Sequence, residues 1–261
     1  MKNWKFPWYN FTKIDRKILF ISIGLLIATI VGGGKLLLDA GIILANNPDR
    51  DRFPIRGIDI SNYQPNIDWD LIDRSQVNFV LIKATEGGDF KDPLFKNNWQ
   101  HAQQKGLTTG AYHFFTFCKS GREQAQNYIE AVPQSEDTLP PVIDLEFIGN
   151  CKTIPTQSGL EKELNTFIDL VQQKYHKRPI LYVTHKFYDL YLRDKYRDSP
   201  IWISDFSYSW NQLPALSDRK SWTFWQYSER GKVKGINHLV DLDVFNGDNA
   251  QFKQLIGNSR S

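Results

Sequence analysis

The amino-acid sequence predicts an α/β fold, an irregular (β/α) barrel of the TIM type in a single domain that follows an N-terminal transmembrane helix. Eight short apolar segments have the length and composition of strands, and amphipathic helical patterns lie between several of them. Strands that alternate with helices are typical of a parallel sheet, and eight of them in about 200 residues favour a closed barrel over an open sheet. A long uncharged segment precedes these elements.

The transmembrane helix is predicted from residues 18–34, which carry no charged side chain over about 17 positions, the lower limit for crossing a bilayer core. Residues 1–17 are basic, so this tail is expected in the cytoplasm and the rest of the chain outside it. A cleavable signal peptide is the alternative, but its apolar run is usually ~7–15 residues long, and no small-x-small cleavage site follows here. We therefore expect a single-pass protein of the cytoplasmic membrane whose barrel faces the periplasm or the exterior.

Four regions follow from this interpretation. Residues 1–17 form the basic tail, residues 18–45 the anchor with a juxtamembrane segment, residues 46–54 a polar linker, and residues 55–261 the barrel. The tail has five basic side chains and one acidic side chain, a charge of +4, and the chain total of +3 leaves −1 for the remainder. A nearly neutral domain has no electrostatic footprint for nucleic acid, so we expect no such partner.

The predicted strands share β-branched and aromatic residues between polar boundaries. They cover residues 56–60, 77–83, 108–117, 141–147, 179–184, 200–205, 221–227 and 239–245. The clearest helices are residues 121–132 and 158–175, where apolar side chains recur every three or four positions. Helical patterns between the fifth and the eighth strand are short or missing, so the barrel is expected to be irregular.

The aromatic content of the chain is high, at 14% of residues with eight Trp. Aromatic rings serve as stacking platforms in sugar-binding clefts, and they also fill hydrophobic cores. Composition alone leaves both roles open for each ring.

Four acidic residues fall in or at the ends of predicted strands, where the working residues of a (β/α) barrel lie. They are Asp59 in the first strand, Asp144 and Glu146 in the fourth, and Asp241 in the last. Asp144 and Glu146 are two positions apart, so their side chains project to one face with about 6.6 Å between their Cα atoms. Mutual repulsion and desolvation are expected to raise the pKa of at least one of them.

A protonated carboxyl beside a carboxylate is the pair that glycoside hydrolysis requires, a proton donor for the leaving oxygen and a negative charge that faces the cationic transition state. A structural ion-pair network with Arg56, Lys83 or Arg178 is the alternative for the same pair. A site for Mg²⁺ or Ca²⁺ is another, since Asp241 and Asp243 add oxygen ligands. The chain has no His-x-His or clustered Cys pattern, so we expect neither a metal nor an organic cofactor.

Six sequence blocks follow one another in the order found in a known enzyme family. They are DISNYQPNIDW (59–69), KATEG (83–87), GAYHF (110–114), PPVIDLE (140–146), WQY (225–227) and VDLDVFNG (240–247). Together they resemble glycoside hydrolase family 25, the Chalaropsis-type lysozymes or N-acetylmuramidases. A lone Asp-x-Glu is a weak signal, whereas six blocks in order from residue 56 to the C-terminus are a specific one.

The resemblance implies a lysozyme-like muramidase that hydrolyses the β-1,4 bond between N-acetylmuramic acid and N-acetylglucosamine in peptidoglycan. It implies that Glu146 is the general acid and that Asp144 stabilises the transition state or orients the acetamido group of the substrate. Asp59 and Asp241 match the two further acids of the family's cleft. A retaining, an inverting or a substrate-assisted course remains open.

Eight further positions resemble those that line the family's cleft. They are Tyr63, Glu86, Tyr112, His113, Tyr182, Trp202, Trp225 and Gln226. A core histidine with satisfied hydrogen bonds is the alternative for His113, and a loop acid bound to backbone amides is the alternative for Glu86. The chain departs from the family at Pro65, where Gly is common, at Asp243, where Asn is more frequent, and after Trp202, so substrate contacts are expected to differ in detail.

The two cysteines, Cys118 and Cys151, follow the third and fourth predicted strands, whose loops emerge on the same face of a barrel. Both lie beyond the anchor, on the side of the membrane where a disulfide persists. A disulfide between them would close about 33 residues and stabilise the fold by a few kcal/mol. Two unpaired thiols are the alternative.

Two other functions are compatible with the sequence, a glycan-binding scaffold with little activity and a hydrolase of another N-acetylated glycan such as chitin. Binding alone does not require a buried acid pair, which favours the enzyme over the scaffold. We expect a monomer whose partners are peptidoglycan glycan strands and, through the anchor, the membrane.

Overall fold

The structure is a computed structural model that describes residues 16–207 and 213–257. The chain divides into two units, residues 1–43 and residues 44–261. Most of the predicted basic tail, residues 1–15, lies outside the described residues. The first unit contains one described helix, and the second contains the barrel.

The helix of the first unit is α1, Arg16–Asp39. Within it, Leu19–Asp39 has a mean hydropathy of 2.0, and none of the residues in this apolar window is buried. A helix of 21 residues is about 31 Å long, which matches the hydrocarbon core of a bilayer. The helix continues past residue 34, where the uncharged segment ends. Lys35 and Asp39, one turn apart, form an ion pair at 2.5 Å that stabilises this last part of the helix. By length and composition, α1 is able to cross a membrane.

Nine β-strands form the second unit within the described residues. They are β1 (Arg56–Ile60), β2 (Phe79–Glu86), β3 (Phe90–Lys91), β4 (Thr108–Phe114), β5 (Val142–Leu145), β6 (Ile180–Thr184), β7 (Ile201–Ser204), β8 (Phe224–Gly231) and β9 (Val240–Phe245). Eight of them coincide with the segments that the sequence predicted. The additional strand, β3, pairs only with the end of β2 and lies outside the closed barrel.

The barrel runs in the order β1-β9-β8-β7-β6-β5-β4-β2, and the pairing of β1 with β2 closes it. This confirms the predicted irregular (β/α) barrel. The strands are parallel except for β9, which is antiparallel to both β8 and β1, so the prediction of a parallel last strand was wrong. The connection explains the difference, because residues 232–239 are too few for a helical crossover, which needs roughly a dozen residues or more.

Five helices accompany the barrel within the residues that the structure describes. They are α2 (Phe95–Gln104), α3 (Gly121–Ala131), α4 (Gln157–Tyr175), α5 (His185–Phe187) and α6 (Asn249–Gly257). A capping box of Ser120 and Glu123 begins α3, and the Thr156 side chain caps α4. Between β6 and β7 there is only the three-residue α5 and one π-helical turn, Tyr188–Leu192, as the weak helical pattern of that region indicated.

Side-chain alternation along the strands divides the apolar residues into two layers. The inner layer fills the barrel and includes Phe79, Leu81, Val142, Ile180, Trp202 and Phe224. The outer layer lies between the strands and the helices and includes Ile58, Val80, Ile143, Leu145 and Phe167. The interior of the barrel is therefore a packed core, and a residue's phase along its strand decides whether it faces this core or the helices.

The segment predicted as a linker, residues 46–54, packs on the barrel instead. The Asn46 side chain donates a hydrogen bond to the carbonyl of Tyr227 at 3.3 Å. Phe53 is 2% exposed, and its ring lies 5.7 Å from that of Trp222. One buried aromatic residue thus ties an otherwise polar segment to the core, and the barrel unit begins eleven residues earlier than predicted, at residue 44 rather than 55.

Candidate active site

The acidic residues selected from the sequence meet at one end of the barrel, where the parallel strands have their carboxyl ends. Since β9 runs in the opposite direction, it brings its first residues to this end, and Asp241 pairs directly with Asp59 of β1. Glu146 follows the last residue of β5. A cleft of about 390 Å³ opens here, and its lining includes Asp59, Tyr63, Lys83, Glu86, Glu146 and Asp241.

Strand phase directs Asp144 and Glu146 into the barrel mouth. Val142 belongs to the inner layer, whereas Ile143 and Leu145 pack in the outer layer, so the next inward positions are Asp144 and Glu146. Asp144 is 8% exposed, and its Oδ1 atom has no hydrogen-bond partner within the described residues. Glu146 is half-buried and lines the cleft. The pair therefore has a deep member and a member that a ligand can reach.

The two carboxyl groups of this pair differ in environment. Burial raises the pKa of Glu146 from 4.5 to about 7, against the opposing effect of the Lys83 ammonium. Burial, and after it the charge of Glu146, raises the pKa of Asp144 well above its usual value. Because neighbouring carboxyl groups titrate as a pair, one proton stays on the pair near neutral pH. A proton beside a negative charge meets both requirements for acid catalysis at a glycosidic bond.

A hydrogen-bonded chain holds Asp59 from the opposite wall. The Tyr182 hydroxyl donates to Gln226 Oε1 at 2.8 Å, and Gln226 Nε2 donates to Asp59 Oδ2 at 2.8 Å. Beside this chain, Trp202 Nε1 donates to Asp243 Oδ1 at 2.8 Å. Tyr182, Trp202 and Gln226 are all buried, so these three predicted substrate contacts form the floor beneath the cleft and orient its acids.

The acids of the β1–β9 wall carry raised pKa values. The pKa of Asp59 is raised by burial and then by Asp243, and that of Asp243 by burial and then by Asp241. Burial followed by the charge of Asp59 raises the pKa of Asp241 to about 9. No group of three or more His, Cys, Asp and Glu side chains among the described residues is arranged to hold a metal ion. At neutral pH a proton on Asp241 relieves part of the repulsion within this wall.

Three basic residues were candidates for an ion-pair network with the acid pair. Arg56 donates a hydrogen bond to the Tyr227 hydroxyl at 3.2 Å, and Arg178 forms an ion pair with Asp198 at 3.1 Å. Neither arginine lines the cleft, whereas Lys83 does. Of the three, Lys83 is the cation that faces the acid pair.

Three of the predicted substrate contacts line the cleft. They are Tyr63, Glu86 and Tyr112. Tyr63 is 77% exposed on the rim, which leaves its ring free to stack on a sugar. Tyr112 is an inward-facing residue of β4, and burial, then the charge of Asp59, raises its pKa well above the usual value. Its hydroxyl therefore stays protonated and able to donate a hydrogen bond.

His113 and Trp225 point away from the cleft, contrary to the expectation that they contact substrate. Each is next to an inward-facing residue of its strand, Tyr112 beside His113 and Gln226 beside Trp225, so its own side chain points outward. The His113 ring hydrogen-bonds to Thr85 Oγ1 at 2.7 Å and to Gln124 Oε1 at 3.1 Å, and burial lowers its pKa to about 3, so the ring is neutral. Trp225 Nε1 donates to the carbonyl of Asp205 at 2.8 Å, and its ring packs in the outer layer.

Lys83 is a lining residue that was not selected from the sequence as a site residue. A signal for it existed, because Phe79 and Leu81 face inward and the next position in that phase is Lys83. A β-bulge between Lys83 and Thr85 then turns Glu86 to the same side, and the sequence gives no sign of this bulge. Six further residues complete the lining of the cleft, Ile60, Ser61, Gln64, Phe114, Ile148 and Gly149.

Cys118 and Cys151 form a disulfide between the loops that follow β4 and β5. Asn150 ties the same loops by hydrogen bonds, since its Oδ1 accepts from the N–H of Phe117 at 2.9 Å and its Nδ2 donates to the carbonyl of Phe115 at 2.9 Å. The wall of the cleft next to the acid pair is thus held covalently, which limits the motion of the loop that follows β5.

The chain is similar to several known proteins over most of the barrel. The family model described as "Glycosyl hydrolases family 25" matches residues 58–236. "Uncharacterized protein YegX" of Escherichia coli (strain K12) is 36% identical over 200 residues, which cover 75% of this chain and 71% of that protein. Lysozyme M1 of Streptomyces globisporus is 30% identical over 223 residues, 80% of this chain and 74% of that protein. The structure of a family 25 glycosyl hydrolase from Bacillus anthracis has a TM-score of 0.73 at 40% identity, and covers 79% of this chain and 95% of that one.

Proposed function

This chain belongs to glycosyl hydrolases family 25, and we propose that it hydrolyses the β-1,4 bond between N-acetylmuramic acid and N-acetylglucosamine in peptidoglycan, with Glu146 as general acid. Similarity to a lysozyme supports the substrate class. The observation that carries the residue assignment is the Asp144–Glu146 pair, in which the half-buried Glu146 has a pKa of about 7 and the deeper Asp144 lies beside it. A general acid works best when its pKa is close to the working pH.

The reaction needs a proton on the leaving glycosidic oxygen and stabilisation of the positive charge that develops on the sugar. Glu146 is the pair's accessible member and delivers the proton as the C–O bond breaks. In the reactive form of the pair the transferable proton is on Glu146 and the negative charge is on Asp144, where it stabilises the cation or orients the acetamido group. Water then supplies the new hydroxyl group, and its remaining proton returns to the Glu146 carboxylate.

Asp59 and Asp241 bind the substrate from the opposite wall in this proposal. The pKa of Asp241 is about 9, so it is protonated at neutral pH, and its carboxyl donates a hydrogen bond to Asp59. Gln226 and Tyr182 hold Asp59 in place. Tyr63 stacks at the rim.

Product analysis with the full-length protein in detergent tests this function. Incubation with purified peptidoglycan is expected to release soluble fragments whose new reducing ends are N-acetylmuramic acid, and chitin oligomers of equal length are expected to stay intact. Reducing ends of N-acetylglucosamine would contradict the bond assignment. Equal cleavage of chitin would favour a hydrolase of other N-acetylated glycans, and binding without release would favour a glycan-binding scaffold.

We also propose that α1 is a retained single-pass anchor with the N-terminus in the cytoplasm and the barrel on the periplasmic or extracellular side. The apolar length of α1 and the basic residues before it support this topology. The disulfide fits an oxidising compartment. Membrane extracts are expected to yield an intact mass of 30.4 kDa. A soluble product that lacks the first forty or so residues would identify α1 as a cleaved signal instead.

A further inference from the structure

Lys83 is the single basic side chain in the lining of the cleft within the described part of the chain. Its side chain is only 13% exposed, and its Nζ lies 2.7 Å from Glu86 Oε2. The ammonium also lies 5.1 Å from the ring centroid of Phe114 and 5.7 Å from that of Phe90. A counter-ion on one side and two aromatic faces fix this charge in one position.

The β-bulge in β2 makes this arrangement possible. In a regular strand Lys83 and Thr85 would share a face, and Glu86 would point to the other side. The register with β4 shifts between Lys83 and Thr85, and Thr85 bonds instead to His113 in the outer layer. Glu86 therefore reaches the cleft and holds Lys83 there. Bulges next to active sites re-aim side chains in this way.

The titratable groups near Lys83 are acidic or neutral. They are Glu86, which is hydrogen-bonded to it, Asp144 and Glu146, whose pKa values its charge lowers, the neutral His113 on β4, and the lining residues Asp59, Tyr112 and Asp241. Arg56 and Arg178 have their partners elsewhere. A single fixed cation thus lies beside the carboxyl groups of Glu86, Asp144 and Glu146, and its removal would leave their mutual repulsion without an opposite charge.

We propose that Lys83 is a positioning residue which, by Coulomb attraction from its fixed place in the cleft, holds the Asp144–Glu146 pair at one proton and one negative charge. This inference rests on the proposed roles of Asp144 and Glu146. It agrees with the electrostatics, because the ammonium lowers the pKa of both carboxyl groups against the effect of burial. Without the ammonium, the pair takes up a second proton and loses the charge that stabilises the transition state.

The test is the pH profile of Lys83→Met in the full-length protein, measured as reducing-end release from peptidoglycan. Methionine retains the apolar stem and removes the charge. Loss of a positive neighbour raises carboxyl pKa values. Both the acidic and the alkaline limb of the kcat/KM profile are therefore expected to shift to higher pH by roughly one unit. At pH 6, kcat is expected to fall about tenfold with little change in KM, and activity is expected to recover at higher pH.

Three variants separate electrostatics from structure. Lys83→Arg keeps the charge and is expected to keep the native profile. Lys91→Met makes the same substitution at an exposed lysine paired with Glu130 at 3.0 Å, and is expected to change neither rate nor profile. Glu86→Gln is expected to move the profile in the opposite direction to Lys83→Met, because the charge of Glu86 raises the pKa of Asp144.

The outcomes also distinguish this inference from the proposed function. If the native protein releases no fragments, the proposed function fails. If the native protein is active and Lys83→Met lowers activity equally at every pH, or Glu86→Gln reproduces its effect, Lys83 has only a structural role and the inference is overturned. An unchanged rate and profile for Lys83→Met would overturn it as well.

Discussion

Replacement of Glu146 by Gln is expected to lower kcat by roughly 10³-fold, the usual contribution of a general acid. The amide occupies the same space but has no proton to deliver to the leaving oxygen. Reducing-end release at pH 6 is the appropriate measurement, because native Glu146, with a pKa of about 7, is mostly protonated there. Affinity for the glycan is expected to change little, since the other acids of the cleft are untouched.

The pH dependence of this variant separates lost chemistry from lost folding. In the native protein, kcat/KM is expected to fall above about pH 7 as Glu146 loses its proton. The folded pKa is above the unfolded value, so the stability gained from the protonated form is complete below pH ~4.3 and is lost as pH rises through the folded pKa. Gln stays neutral, and the Tm of Glu146→Gln is therefore expected to exceed that of the native protein at pH 8 and to match it at pH 4.

Glu130→Gln is the matched control for this substitution, because Glu130 lies on the exposed side of α3. It is expected to leave kcat and the pH profile unchanged. If Glu146→Gln kept more than a tenth of the native kcat, the general acid would have to be another residue. A Tm below that of the native protein at every pH would attribute the lost activity to folding instead.

Asp144→Asn is expected to lower kcat by roughly 10²-fold or more, because the neutral amide no longer stabilises the positive charge that develops on the sugar. Its pH profile is expected to move in the opposite direction to that of Lys83→Met. Removal of the negative neighbour lowers the pKa of Glu146. The midpoint of the alkaline limb of the kcat/KM profile is therefore expected to lie below pH 7. Product assays over a range of pH measure both effects.

Asp169→Asn, an exposed position on α4, is the matched control for the loss of a carboxylate and is expected to behave as the native protein. An alkaline limb of Asp144→Asn that stayed at the native position would show that the two carboxyl groups do not titrate together. Nearly full activity of this variant would remove Asp144 from the mechanism.

Alternation along the strands explains what the sequence could and could not predict. Asp144 and Glu146 were identified because apolar residues flank them on a strand that has the right length and ends at the functional side of the barrel. His113 and Trp225 carry the same kind of motif signal, but a shift of one position in phase places them in the outer layer. A motif indicates which segment approaches the cleft, and only the register shows which side chain enters it.

Two features depend on backbone geometry that residue patterns do not encode. The bulge after Lys83 turns Glu86 into the cleft, and a strand that is apolar on both sides gives no sign of a local change in phase. The reversed direction of β9 follows from the short connection before it. The earlier strands alternate with helices, and extending that pattern to the last strand predicts the wrong direction. The buried Phe53 is a similar case, because one aromatic residue decides where a polar segment packs.

The pairing of Asp59 with Asp241 joins two positions that are 182 residues apart in the chain. Such a non-local contact forms late, because the loop-closure entropy must be overcome before the strands pair. The ribosome makes β9 last among the strands, so the wall of acids opposite Glu146 does not exist in any nascent or truncated chain that lacks it. The cleft is therefore complete only after synthesis has passed residue 245, the last residue of β9.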